Sequence, residues 1–204
     1  MVSVSKGLQW SIAVFIAATM ISASVAYLSV APHKSEGFFL LYALGEGKML
    51  EHYFPNGNST IKPGATIQWY LRVVNVMGSA QYVAVKVKLG NATTQRPNQV
   101  NATPAPIPAL TEFHRILVNN ETWEIPFAWK VTRIRDDADG MQIALDVNGL
   151  QVEPTVRAAR GNDFRMIFEL WTLRPGDDRI SFGSMSGDQR QTRWLQLRFN
   201  VTAT

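Results

Sequence analysis

The chain has 204 residues, a formal net charge of +4 and no cysteine. Lacking thiols, it has no disulfides, no thiolate metal ligands and no cysteine nucleophile. Its charge is scattered: Arg133, Arg135, Arg157, Arg160 and Arg165 are matched by Asp136, Asp137, Asp139, Asp146 and Asp163. No basic stripe interleaved with aromatics points to a nucleic-acid partner.

From Gly7 to Val30 the chain is uncharged and mostly apolar. As a helix rising ~1.5 Å per residue, this run spans a ~30 Å hydrocarbon core. Trp10 and Tyr27 lie near its ends, as interfacial aromatics do, with Lys6 before it and His33 and Lys34 after it. The expected organisation is a short cytoplasmic N-terminus (1–6), a transmembrane helix or signal anchor (7–30), a juxtamembrane linker (31–37) and an extracytoplasmic domain (38–204). Two alternatives process the same segment. Ser24-Val25-Ala26 fits cleavage of a signal peptide, and Lys6-Gly7 ahead of a long apolar helix resembles the processing site of archaeal pilin-like proteins, with Gln9 replacing the usual apolar residue. All three readings export the C-terminal region.

Five N-x-S/T sequons follow the apolar run, at Asn58, Asn91, Asn101, Asn120 and Asn200. Chance would place roughly one or two among so few asparagines, so the excess supports exposure to a glycosylation machinery. Period-2 alternation dominates the same region. Ile67, Trp69, Leu71 and Val73 alternate with polar residues, as do Val83, Val85, Val87 and Leu89. Joined through Met77-Gly78-Ser79, these runs predict an antiparallel hairpin. Further strands are expected at Phe38–Ala43, Phe113–Val118, Phe127–Arg135, Gln142–Val147, Phe164–Thr172 and Trp194–Val201. The expected fold is therefore all-β, an immunoglobulin-like β-sandwich preceded by one N-terminal transmembrane α-helix. Arg96–Pro108, rich in Pro and Asn, reads as a loop or linker, and Gly183–Gln191 as a polar loop.

The stretch Phe38–Lys48 ending in Leu44-Gly45-Glu46-Gly47-Lys48, then Tyr53-Phe54-Pro55, Asn58-Ser59-Thr60-Ile61-Lys62-Pro63-Gly64 and the Trp69–Asn75 strand, resembles the archaeal "domain of unknown function 1616" family. Asn120-Glu121-Thr122-Trp123-Glu124 is similar to that family's "x-E-x-W-E" segment, and Phe168-Glu169-Leu170-Trp171 to its closing strand. Phe54 is inserted before the family's Pro, and Arg96–Pro108 has no counterpart. The resemblance implies an exported immunoglobulin-like sandwich tethered to an archaeal membrane, with no established activity.

Chemistry-bearing patterns are sparse. His33, His52 and His114 lie in separate segments without metal-ligand spacing. Asp136, Asp137 and Asp139, ahead of Gly140, are the candidate oxygen ligands for a hard cation, although no bidentate Glu follows and an ordinary Asp-rich hairpin turn is the better explanation. Pro175-Gly176-Asp177-Asp178 reads as a polar turn. Gly183-Ser184-Met185-Ser186-Gly187 has Met where a nucleophile elbow needs Ser. Trp69, Trp129, Trp171 and Trp194 fall in apolar strand patterns and are expected in the core, leaving Trp123 as the candidate for carbohydrate stacking. The expectation is a non-enzymatic cell-envelope protein without cofactors. It contacts lipid through its helix, and other envelope proteins or a second copy of itself through its sandwich. A pilin-like filament subunit and a carbohydrate- or calcium-binding module are the alternatives.

Overall fold

The computed structural model describes residues 6–30, 37–174, 176, 178–186 and 189–202. The expected cytoplasmic segment before Lys6, the linker up to Glu36 with His33, and Pro175 and Asp177 lie outside the described residues. The chain divides into two compact units, Met1–Ser35 and Glu36–Thr204.

The first unit is a helix, α1 (Lys6–Val30). Its large apolar side chains are exposed on every side: Trp10, Val14, Phe15, Ile16, Met20, Ile21, Val25 and Tyr27. The hydroxyls of Thr19, Ser22 and Ser24 each donate to the carbonyl four residues back at 2.8 Å. These bonds tuck the polar atoms against the helix backbone and leave an apolar exterior. Among the described residues, no helix is long and apolar enough to cross a membrane.

The second unit is all-β. One sheet has the order β1 (Phe38–Leu44), β3 (Thr66–Val76), β6 (Thr122–Asp137), β7 (Gly140–Val147), β8 (Leu150–Val152), with β9 (Arg157–Ala158) also pairing β7. The other has the order β2 (Thr60–Ile61), β14 (Trp194–Val201), β10 (Phe164–Leu173), β4 (Gln81–Gly90), β5 (Thr111–Leu117), with β11 (Ile180–Phe182) on β10. Inward residues of both sheets merge into one core. Trp69 and Phe127 of the first sheet meet Phe168 of the second at ring distances of 6.1 and 5.3 Å, and Trp129 meets Phe199 at 4.7 Å. These ring contacts hold the two layers face to face.

All the strands expected from alternation are present, with ends shifted by a few residues. The expected hairpin is not. β3 pairs β1 and β6, whereas β4 pairs β10 and β5, so Met77-Gly78-Ser79 carries the chain from one sheet to the other. Asn75 builds that corner. Fully buried, its side-chain amide donates to the carbonyls of Ser79 and Leu117 at 2.9 Å, and its Oδ1 accepts the Met77 N–H at 2.9 Å. The polar segment Gly183–Gln191, expected as a loop, holds a short pair, β12 (Ser184–Ser186) with β13 (Gln189–Gln191). Ser184 and Ser186 turn inward there while Met185 turns out.

Candidate functional site

The outward face of the β2–β14–β10–β4–β5 sheet carries the densest polar cluster. On β10, Phe164, Met166, Phe168 and Leu170 face the core, so Arg165, Ile167, Glu169 and Trp171 face outward. Glu169 is nonetheless completely buried and Lys88 on β4 nearly so. The Pro-rich segment covers them. The Glu169 carboxylate accepts the Ala105 N–H at 2.7 Å and the Trp171 indole N–H at 3.0 Å, and lies 2.9 Å from Lys88 Nζ. Lys88 Nζ donates in turn to the Ala105 carbonyl at 2.7 Å. The segment over 96–108 is thus a strap latched to a sheet face by a buried ion pair, not a linker. Every polar atom of the latch has a partner, the condition under which a buried charge pair is tolerated.

Beside the latch, Lys86 Nζ sits 4.4 Å above the Trp171 ring and 2.8 Å from Glu112, with His114 3.3 Å from Glu112 and 3.1 Å from the Tyr82 hydroxyl. Expected in the core, Trp171 is half-buried on this outer face with a cation over its ring. The Tyr82–His114–Glu112–Lys86 chain has proton-transfer groups but lies along an open strand face, and the described clefts lie elsewhere. One, of about 270 Å³, runs between Ile107–Leu110 and Val152–Val156.

A second polar row crosses the outer face of the β1–β3–β6–β7 sheet. Glu124 on β6 pairs with Arg72 on β3 at 2.7 Å and with Lys48 at 2.5 Å, and Lys48 also sits 4.9 Å from the Tyr70 ring. Lys48, first, and Arg72 hold the Glu124 carboxyl below the usual carboxylate range, and the Arg72 guanidinium is raised reciprocally. The Leu44–Lys48 motif has a backbone reason. A Cβ on Gly45 would lie 2.1 Å from the Glu51 carbonyl oxygen, and Gly47 has φ +77°. Tyr53 donates its hydroxyl to the Ala43 carbonyl at 3.1 Å, and burial raises its pKa. The motif residues therefore converge on a folded corner with its own ion pairs.

The sequence candidates separate in the structure. Asp136 and Asp137 end β6, and Asp139 lies in the turn to Gly140. Asp137 pairs with Arg157, which lowers its pKa, and accepts the Asp139 N–H at 3.1 Å. Among the described residues no three acid or histidine side chains are grouped to hold a metal. Trp123 belongs to the core and is 9% exposed. Its position in the inward series with Ile125, Phe127, Trp129 and Val131 leaves no ring face for a sugar, which corrects the stacking expectation. Asn58, Asn101 and Asn120 are exposed, whereas Asn91 and Asn200 are partly buried. The residues that sequence reasoning passed over are Lys88 and Glu169. Their signal was a lone acid inside the apolar run Phe164–Leu173.

No family model and no curated protein matches the chain. Among solved structures it is similar to a β-glucosidase from Listeria innocua in complex with glucose, with 10% identity and a TM-score of 0.38 over 85% of this chain and 17% of that chain. It is also similar to Spo0M, a sporulation control protein from Bacillus subtilis, with 10% identity and a TM-score of 0.29 over 79% of this chain and 91% of that chain. The chain thus spans about a sixth of the β-glucosidase it matches. Neither likeness carries an argument about activity.

Proposed function

We propose that this is a non-enzymatic cell-envelope protein, held at a membrane by the apolar run Gly7–Val30, whose exported immunoglobulin-like β unit mediates protein–protein contact. That contact would be made as an accessory subunit of a membrane complex or beside a surface layer. The observation that carries the reading is α1: apolar side chains on all sides, with Thr19, Ser22 and Ser24 bonded back to the helix. A helix hydrophobic all round stays in water only at a large cost and needs lipid or other helices around it. The crossing of the chain between two sheets, antiparallel but for the β2–β14 pair, at Asn75–Ser79 supports an immunoglobulin-like arrangement. Exposed Ile116 and Val118, on and just beyond the edge strand β5, offer a contact surface.

Cross-linking in native membranes followed by mass spectrometry tests the reading. Cross-links from the β unit to an envelope or membrane protein, or to a second copy, are expected; monomer alone from intact cells would overturn it. The same all-round apolar helix also fits the core of a filament of copies. In that case the mature chain begins at Leu8, and an intact Met1 on N-terminal sequencing rules it out.

A further inference from the structure

We infer that N-linked glycans are carried at Asn58, Asn101 and Asn120 and excluded from Asn91 and Asn200, Asn91 serving as a structural tie between the two sheets. The inference rests on the export of the β unit proposed above. Transfer of a glycan joins the asparagine Nδ2 to C1 of a sugar carried on a polyprenyl phosphate or diphosphate. The N–C1 bond forms as the C1–O bond to phosphate breaks, the lipid phosphate leaves with the electron pair, and Nδ2 gives up one proton to a base of the transferase. The reacting nitrogen must therefore be unshared, and the tripeptide must leave the protein surface to enter the enzyme.

Asn91 fails on the first count. Its Oδ1 accepts the backbone N–H groups of Thr93 and Thr94 at 3.0 and 2.9 Å, as well as both of their hydroxyls. Backbone donors at that end fix the amide orientation, so Nδ2 points at the Arg157 carbonyl, 2.6 Å away. Arg157 belongs to β9 in one sheet and Asn91 follows β4 in the other. The acceptor nitrogen is thus spent on joining the layers. The sequon threonine, Thr93, is itself turned back onto Asn91.

Asn200 fails on the second count. It lies within β14, where its Oδ1 accepts the Asp163 N–H at 2.9 Å and its N–H donates to the Ser59 carbonyl. The middle residue of its sequon, Val201, is 3% exposed in the core. Drawing this tripeptide into an enzyme pulls Val201 out of the core.

In the other three the middle residue of the tripeptide, Ser59, Ala102 or Glu121, lies outside the core. Asn101 and Thr103 are exposed near the tip of the strap, and Asn120 and Thr122 at the β5–β6 turn, where Asn120 has φ +64°. Asn58 is exposed, its Oδ1 accepting the Thr60 N–H at 2.9 Å. Among the described residues, no hydrogen bond engages Nδ2 of Asn58, Asn101 or Asn120.

The test uses the full chain recovered from membranes of a glycosylating host, with protease shaving of intact cells scoring export and glycopeptide mass spectrometry scoring each site. Glycan is expected at Asn58, Asn101 and Asn120, with Asn91 and Asn200 bare. Asn101→Gln and Asn120→Gln each remove one glycan, the first with Tm unchanged and the second with a small fall because Gln is strained at φ +64°. Asn91→Gln leaves the glycan mass unchanged and lowers Tm by several degrees, and Thr93→Ala, which abolishes that sequon but keeps Nδ2, leaves the mass unchanged too. Glycan on Asn91 or Asn200, or an exported chain bare at any of the three exposed sites, overturns the inference while export stands. A chain that is neither exported nor glycosylated overturns both.

Discussion

Replacing Lys88 with Met removes the cation from the latch and leaves Glu169 as an unpaired carboxylate with no solvent exposure, in a pair whose side chains are 5% and 0% exposed. Breaking one side of a buried ion pair costs about 3–5 kcal/mol, a large share of the roughly 5–15 kcal/mol that holds a domain together. The Ala105 carbonyl keeps only the Ile107 N–H, so the strap loses one of the two hydrogen bonds that tie Ala105 to the sheet. With a urea dependence of about 2 kcal/mol per molar, the unfolding midpoint falls by about 2 M. Limited thermolysin digestion on the N-terminal side of Val100, exposed in the strap, should accelerate at the same time. The double variant K88M/E169M leaves no charge buried, so it should cost less than the sum of the singles by about 2 kcal/mol or more. A K88M midpoint within about 0.3 M of wild type, with unchanged thermolysin cleavage at Val100, would refute the latch.

Asn75→Ala removes the amide that ties Met77, Ser79 and Leu117 together. It should cost about 2–4 kcal/mol in urea unfolding, since several buried backbone groups lose partners. Gly161 has φ +72°, and a Cβ there would lie 2.2 Å from the Val201 carbonyl oxygen; Gly161→Ala should cost about 3 kcal/mol or more, while Gly64→Ala, at φ +82° in open space, should cost only about 1–2 kcal/mol. Glu124 has its folded pKa held below the ordinary value by Lys48 and Arg72. Its stabilisation is therefore present above an unfolded pKa of about 4.3 and lost as pH falls through the lower folded value. Glu124→Gln should flatten Tm against pH below about pH 5, and an unaltered acid limb would count against the ion pair.

What sequence could convey here follows from parity. In β3, β7 and the part of β6 up to Val131 the inward residues alternate, because one face of each strand meets the core; a bulge between Val131 and Arg133 ends the period in β6. Parity states which face a residue takes but not which sheet its strand joins, so β3 and β4 read as a hairpin although a buried Asn75 sends them apart. Trp123 shares parity with Ile125, Phe127 and Trp129, a signal for burial that its polar neighbours Thr122 and Glu124 obscured. β10 broke the rule in the other direction. The strap covers its outer face, so seven consecutive residues from Phe164 to Leu170 are buried, and Glu169 looked like an interruption in an apolar run when it is the latch. Nothing in a single sequence shows that a Pro-rich segment 64 residues away supplies the partner of Glu169.

The most direct test of the central claim is alkaline carbonate extraction combined with protease shaving of intact cells. The account predicts that the full-length chain stays in the membrane pellet and that external protease releases fragments of the β unit while the α1 segment remains membrane-bound. Recovery of the intact chain in the carbonate supernatant, or a β unit that external protease reaches only after lysis, would contradict it.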